Sequence, residues 1–322
     1  MPPAAIFVTV WAGVFGLVIG SFLNVVAYRV PAGIPLTRES RCPRCDEPIR
    51  WWQNVPVIGW LALRGRCARC RGGISIRYPL VELVTGVVFS AVAAGVILAR
   101  PFDLRPVDGA QWFGTAEFWG VLLTLEVFAA LSIVLAIIDL DTRRLPSAIV
   151  LPGWAAVAAL FAITTVWAGI ESSTEVLAIG PSTGSGAQVV GSAAQVVGSG
   201  TQAVSAGTQM TWMPLLTALA GGAALYLFYY VVRLISPRGM GGGDVKLAGL
   251  VGTVLGWFGW SSLVVGAFAA FVLAGVFGLA LIATGRAQRR SAIPFGPWML
   301  AGAWLGIVFG EPLGRWYLGL LA

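Results

Sequence analysis

Two sets of residues in this chain have types and spacings that could do chemistry: four cysteines in two close pairs, and two aspartates set against long apolar runs. Histidine is absent from all 322 residues. Its absence removes Ser-His-Asp and Cys-His catalysis, and every His-ligated metal or haem. The cysteines read Cys42-Pro-Arg-Cys45 and Cys67-Ala-Arg-Cys70, with 21 residues between the pairs. Each Cys-x-x-Cys puts two thiolates on one turn, and two such turns can close a tetrahedron around zinc. Four sulfurs fill every position, so such a site is structural. A redox dithiol would need only one of the pairs, and disulfides would need an oxidising compartment; two matched pairs in one loop favour metal.

Asp139 ends the apolar run LEVFAALSIVLAIIDLD, and Asp244 closes Gly239-Met240-Gly241-Gly242-Gly243-Asp244 just before another. A carboxylate at a membrane edge is costly, which makes it a functional candidate. Two such groups suit peptide hydrolysis. One takes a proton from water as it attacks the scissile carbonyl, and the other, protonated, polarises that carbonyl and helps the amine leave. Glycines before Asp244 would let a substrate backbone approach closely. Plainer roles compete: Asp244 as a helix cap, Asp139 as a solvated helix end paired with Arg143. Glu82 and Glu126, in or near spans, read as polar glue between helices. No G-K-[ST] follows the glycine run, which argues against a phosphate loop.

The elements that must position these groups are membrane spans. The chain is 57% hydrophobic and only 11% charged, less than half the charge of an ordinary soluble domain. Eight segments are long enough to cross about 30 Å of hydrocarbon, near 4–27, 80–99, 119–139, 147–169, 213–235, 245–260, 262–284 and 297–320. The first lacks a basic n-region and reads as a retained span. The loop 29–78 holds ten arginines against Glu39, Asp46 and Glu47. Put in the cytoplasm, with alternation thereafter, it leaves eighteen of the 21 basic residues inside and both termini outside. A cytoplasmic loop thus explains the basic charge without nucleic acid, and such a face suits anionic lipid. The expected division is a first span at 1–28, a cysteine-rich cytoplasmic loop at 29–79, and a seven-span core at 80–322. Within the core, 171–211, rich in Gly, Ser and Ala and repeating AQVVGS at 187–192 and 194–199, reads as a flexible external loop or a brief amphipathic surface helix.

Together these residues resemble the bacterial type IV prepilin peptidases, aspartyl intramembrane proteases of the GxGD type. Gly241-Gly242-Gly243-Asp244-Val245-Lys246 is similar to the GxGD motif, and Asp139 with Leu145-Pro146 to the family's first aspartate motif. Further matches run in order along the chain: GSFLNVVAYRVP at 20–31, Cys42 to Cys45, NVPV at 54–57, RGRC at 64–67, RYPLVE at 77–82 and PFGP at 294–297.

The resemblance implies an all-α polytopic enzyme of the inner membrane with Asp139 and Asp244 as its catalytic pair. Its substrates would be type IV prepilins or related pseudopilins, cut after a glycine where a cytoplasmic leader meets an apolar helix. It also implies a second activity in many members, methylation of the new N-terminus from S-adenosylmethionine, linked to the cysteine loop. No G-x-G-x-x-G is present to hold that donor. The family often has an aspartate after Leu-Pro, where this chain has Ser147. Helix ends suggest an asymmetry: Asp244 begins a helix, where negative charge is favoured, and Asp139 ends one. On that reading Asp244 is the base and Asp139 carries the shared proton. An ion transporter would put its acids nearer the midplane, and a non-catalytic assembly platform would tolerate loss of both aspartates.

Overall fold

A long apolar segment in lipid has to satisfy its own backbone polar groups, and the helix is how a single segment does so. The computed structural model describes residues 2–99, 115–178, 193–236, 240–285 and 294–320, with the backbone alone given for those within 172–211. Among the described residues there are eight long helices: α1 (Pro3–Arg29), α2 (Arg77–Ala99), α3 (Ala116–Thr142), α4 (Ser147–Ala178), α5 (Ala193–Ile235), α6 (Gly242–Trp257), α7 (Trp260–Ala283) and α8 (Gly296–Gly319). They follow the eight expected spans in order. Six, all but α6 and α8, are long and apolar enough to cross a membrane. The 16 residues of α6 reach only about 24 Å, and α8 carries Glu311 and Arg315, paired at 3.2 Å.

The segment 171–211 departs from the expected loop. Helix α4 runs on to Ala178 and α5 starts at Ala193, so the second AQVVGS copy is helical. Extending an existing helix costs no new nucleus, and no proline interrupts α5 before Pro214. The first copy lies outside the described residues.

Three helix pairs pack most closely: α1 with α2, α5 with α6, and α7 with α8. Small residues make this possible, since lipid offers no hydrophobic drive between helices and close van der Waals contact must supply it. A Cβ at Gly252 would lie 2.4 Å from the Gly221 carbonyl oxygen, and one at Gly256 2.3 Å from that of Thr217. Helix α6 is thereby drawn into the centre, where every residue from Leu247 to Trp257 is buried. Helix α4 locks its other side. Trp154 donates to Thr253 Oγ1 at 2.8 Å, and Phe161 stacks on Trp257 at 4.1 Å. The turn from α6 into α7 is tight, and Gly259 makes it at φ 106°, a backbone state that side chains disfavour. Helix α3 is tied to α8 through Phe128 and Trp304, 5.3 Å apart.

Gly256→Leu is expected to lower stability by about 1–3 kcal/mol or more through overpacking. Gly95→Leu, on a helix surface with no atom within 4 Å of the new Cβ, should change little. Thermal unfolding of the detergent-solubilised variants measures the difference.

Candidate functional site

The two aspartates lie at one end of the bundle. Asp139 lies in the last turn of α3 and is buried, 4% exposed. Its Oδ2 accepts a hydrogen bond from the Gly296 amide at 3.1 Å, at the first turn of α8. Asp244 lies in the first turn of α6, half-buried, and its Oδ2 accepts from the Gly241 amide at 3.0 Å. The two carboxylates are within electrostatic reach of each other. Leu145 sits between their supports. A Cβ at Gly243 would fall 2.7 Å from Leu145 Cβ, and one at Gly296 would fall 2.7 Å from Asp139 Oδ2 and 3.3 Å from Leu145 Cδ1. Glycine is required at both positions for the loop after α3 to lie against α6 and α8. Gly242 makes room for Arg233, whose Nη1 would be 2.6 Å from a Cβ there.

The plainer roles are only partly met. Asp244 reaches back to the N-cap amide, as the third residue of a capping box does. The Asp139 carboxylate takes its hydrogen bond from the Gly296 amide and not from the Arg143 side chain; Arg143, in the left-handed region at φ 52°, donates its amide to the Asp139 backbone carbonyl and closes α3. Both carboxylates therefore face helix N-termini. The dipole argument that separated base from acid in the sequence no longer distinguishes them.

The four cysteines also converge. Their sulfurs all lie within 4.8 Å of one another, with Cys42 and Cys70 3.9 Å apart and Cys45 and Cys67 4.0 Å. A tetrahedral ion with sulfurs at about 2.3 Å wants them about 3.8 Å apart, so the set fits a metal ion. The two turns match residue for residue. Cys42 and Cys67 donate their amides to the carbonyls of Glu47 and Gly72 at 2.9 and 2.8 Å. Asp46 and Arg71 take positive φ of 55° and 59°, and isolated bridges join Arg41 to Pro48 and Arg66 to Gly73. Amides of Arg44 and Cys45 pull the Cys42 thiol down to about 6, and those of Cys70 and Arg69 lower Cys67. The Glu47 amide favours the Cys45 thiolate too, but burial and the neighbouring sulfurs push that thiol up to about 11.

Comparison with known proteins gives concordant results. The Bacterial Peptidase A24 N-terminal domain matches residues 14–96, which include the cysteine loop. The Type IV leader peptidase family matches residues 193–280, which include Asp244. A prepilin leader peptidase/N-methyltransferase of Neisseria gonorrhoeae is 31% identical over 95% of this chain and 93% of its own length. The chain belongs to the type IV leader peptidase family. Proteins of the same name from Stutzerimonas stutzeri and Aeromonas salmonicida are 30% and 29% identical, each over 95% of this chain and 92% of their own. No solved structure matches.

Within this leader peptidase fold the remaining site residues have definite places. Lys246 donates from Nζ to Ser147 Oγ at 2.7 Å, tying the start of α4 to α6 at the position where an aspartate was expected. Pro146 accepts from the amides of Ile149 and Val150 and so starts α4. Asp141 is outside the pair and binds Arg77, with Nη1 3.2 Å from Oδ1. Glu82 is not glue between spans. It accepts the Val57 amide at 2.7 Å and holds that residue at a φ of 59°, pinning the cysteine loop to α2. Glu126 of α3 is half-buried, unlike the exposed Trp119 and Leu123, two turns and one turn before it. Sequence reasoning passed over Tyr229. It is 1% exposed, within electrostatic reach of Asp244, and 6.1 Å from Phe295. The role of Gly296 was signalled only by its place in the PFGP match.

The purified protein is expected to carry about one metal ion per chain, read by elemental mass spectrometry. Cys67→Ser should lose it and open residues 38–76 to protease, because a loop this poor in apolar mass depends on the ion for its folding.

Proposed function

We propose that this chain is a membrane-embedded aspartyl endopeptidase that removes the leaders of type IV prepilins or pseudopilins, with Asp139 and Asp244 as its catalytic pair. The observation that carries the reading is the approach of two carboxylates from different helices, among glycines, at one end of the bundle. One carboxylate activates water against the scissile carbonyl while the other, protonated, hydrogen-bonds the carbonyl oxygen. The proton taken from water then passes to the departing amine. Gly243 and Gly296 keep side chains away from the space between them, and Leu145 fixes the spacing. The side of the membrane is assigned from charge. The arginine-rich cysteine loop lies at the same end of the bundle as the aspartates, and the positive-inside bias supports reading that end as cytoplasmic, with both termini outside.

The four-cysteine site is read as structural zinc, a tetrahedral thiolate site with no open position. Cys42, Cys45, Cys67 and Cys70 would hold the ion, and Glu82, through Val57, holds the loop to the bundle. The relatives' names also carry N-methylation, for which S-adenosylmethionine would be the donor. Mass spectrometry of pilin matured by this chain, reading one added methyl group, tests for that second activity.

Leader removal from a co-expressed prepilin, followed on a gel, tests the main reading. Wild type should cleave, and Asp139→Asn and Asp244→Asn should each lose about 10²–10⁴-fold or more. Asparagine keeps an oxygen for the Gly296 and Gly241 amides, so both variants should melt like wild type. Cleavage by both variants would remove the aspartyl mechanism. Gly296→Ala should slow turnover on the order of 10²-fold by displacing Asp139.

A further inference from the structure

Tyr229 of α5 is a buried polar side chain that the cleavage described above leaves unused. Helix α5 buries one stripe, Ala218, Gly221, Gly222, Leu225 and Tyr229, residues three or four apart that share a helix face. That face lies on α6. A Cβ at Gly256 would meet Thr217 and Ala218, one at Gly252 would meet Gly221, and one at Gly222 would meet Gly249 and Thr253. The two helices run antiparallel, so each step along α5 toward Ile235 matches a step back along α6 toward its start. Tyr229 therefore comes level with Asp244. The next turn of α5 agrees, since Arg233 lies against Gly242.

The Tyr229 ring is held by other rings. It stacks on Phe271 of α7 at 5.8 Å, meets Phe228 edge-on at 5.3 Å and lies 6.1 Å from Phe295. Phe295 precedes Gly296, whose amide holds Asp139. Tyr229 thus borders the starts of both α6 and α8, where the two carboxylates are supported, and Asp244 is within its electrostatic reach. Only 1% of the residue is exposed. Its hydroxyl nevertheless has no hydrogen-bond partner among the described residues, and it is not sealed off. A phenol buried to this extent normally finds a partner within the protein. This one is left for a group that comes and goes.

We infer that Tyr229 is a third catalytic residue, its hydroxyl donating a hydrogen bond to the oxygen of the scissile carbonyl as that oxygen gains negative charge. The inference rests on the leader-peptidase reading above and adds a donor to it. The protonated aspartate supplies one hydrogen bond to this oxygen, and Tyr229 supplies a second from the side of α5. When water adds, the carbonyl double bond opens and the new charge on oxygen is shared between the two donors. When the amine leaves, the double bond reforms. The phenol keeps its proton throughout. A neutral donor suits this place, because a lysine or arginine there would favour ionisation of both carboxylates, and the pair has to hold one proton. A phenol stabilises the developing charge without doing so, in a setting where bulk water competes little.

The test is steady-state cleavage of a purified full-length prepilin that the wild-type chain processes. Tyr229→Phe removes the hydroxyl and keeps the ring among Phe228, Phe271 and Phe295. Its kcat is expected to fall about 10²–10³-fold, the usual loss for one such donor, with KM and melting temperature close to wild type. Tyr230→Phe, at the exposed neighbour, should keep the wild-type kcat. Difluorotyrosine at 229 restores the hydroxyl as a more acidic phenol. It should recover kcat near neutral pH, and the alkaline limb of its pH–rate profile should fall at lower pH than in wild type. An alkaline limb unmoved by fluorine would overturn the role of Tyr229. So would wild-type kcat in Tyr229→Phe, with Asp139→Asn and Asp244→Asn inactive, an outcome that leaves the peptidase reading intact. A Tyr229→Phe variant that changes only KM, or only the acid limb, would overturn it equally, since the hydroxyl would then hold the ground state or act through Asp244. Failure of the wild type to cleave any prepilin offered would sink the peptidase reading and this inference with it.

Discussion

A helix that begins inside a membrane must find acceptors for its first-turn amides, because no bulk water is there to take them. Helices α6 and α8 both begin in this way, at the same end of the bundle. In each the acceptor is an aspartate: Asp244 takes the Gly241 amide and Asp139 the Gly296 amide. The acceptors come from different sources. Asp244 belongs to the helix it caps, whereas Asp139 reaches across from the end of α3. The two helix starts are therefore fastened by the same carboxylates that the chemistry would use, and neither can move without disturbing the other. The glycines at 243 and 296, the Leu145 contact and the Lys246–Ser147 link keep the two starts in register.

This arrangement depends in turn on how deeply α6 is held. A short helix surrounded by neighbours has no apolar face of its own to choose, so its position is set by how closely backbones can approach. The glycine contacts of α6 with α5 fix that approach, and Trp154 and Phe161 of α4 and the Gly259 turn prevent sliding. Substitution along these seams would change the site from a distance of several turns. The cysteine loop is joined to the bundle through Glu82 and through Arg29. The Arg29 guanidinium donates to the Leu36 carbonyl at 2.8 Å and gathers the chain below α1.

What was legible in the sequence was whatever is local. Span order follows from hydropathy, because each run satisfies its own backbone. The cysteine turns follow from i, i+3 spacing, and the structure adds only their mutual match. The aspartates could be named but not joined, since the bond from Gly296 to Asp139 links residues 157 apart. That bond also removed the basis for giving the two carboxylates different helix environments. Glu82 was misread because its partner is a strained loop amide, which no periodicity announces. The stretch after 171 was read as loop from its glycine and serine content, although helices already formed on both sides could extend into it.

The shortness of α6 bears on selectivity. At 16 residues it falls several ångströms short of the hydrocarbon thickness, and it starts level with Tyr229, six residues before α5 ends. A carboxylate pair set at that depth would be recessed from the aqueous surface, so passing soluble polypeptides would not meet it. A chain held at the right immersion by its own greasy segment would. The missing turns of α6 thus act as a depth gauge for the residue that begins it.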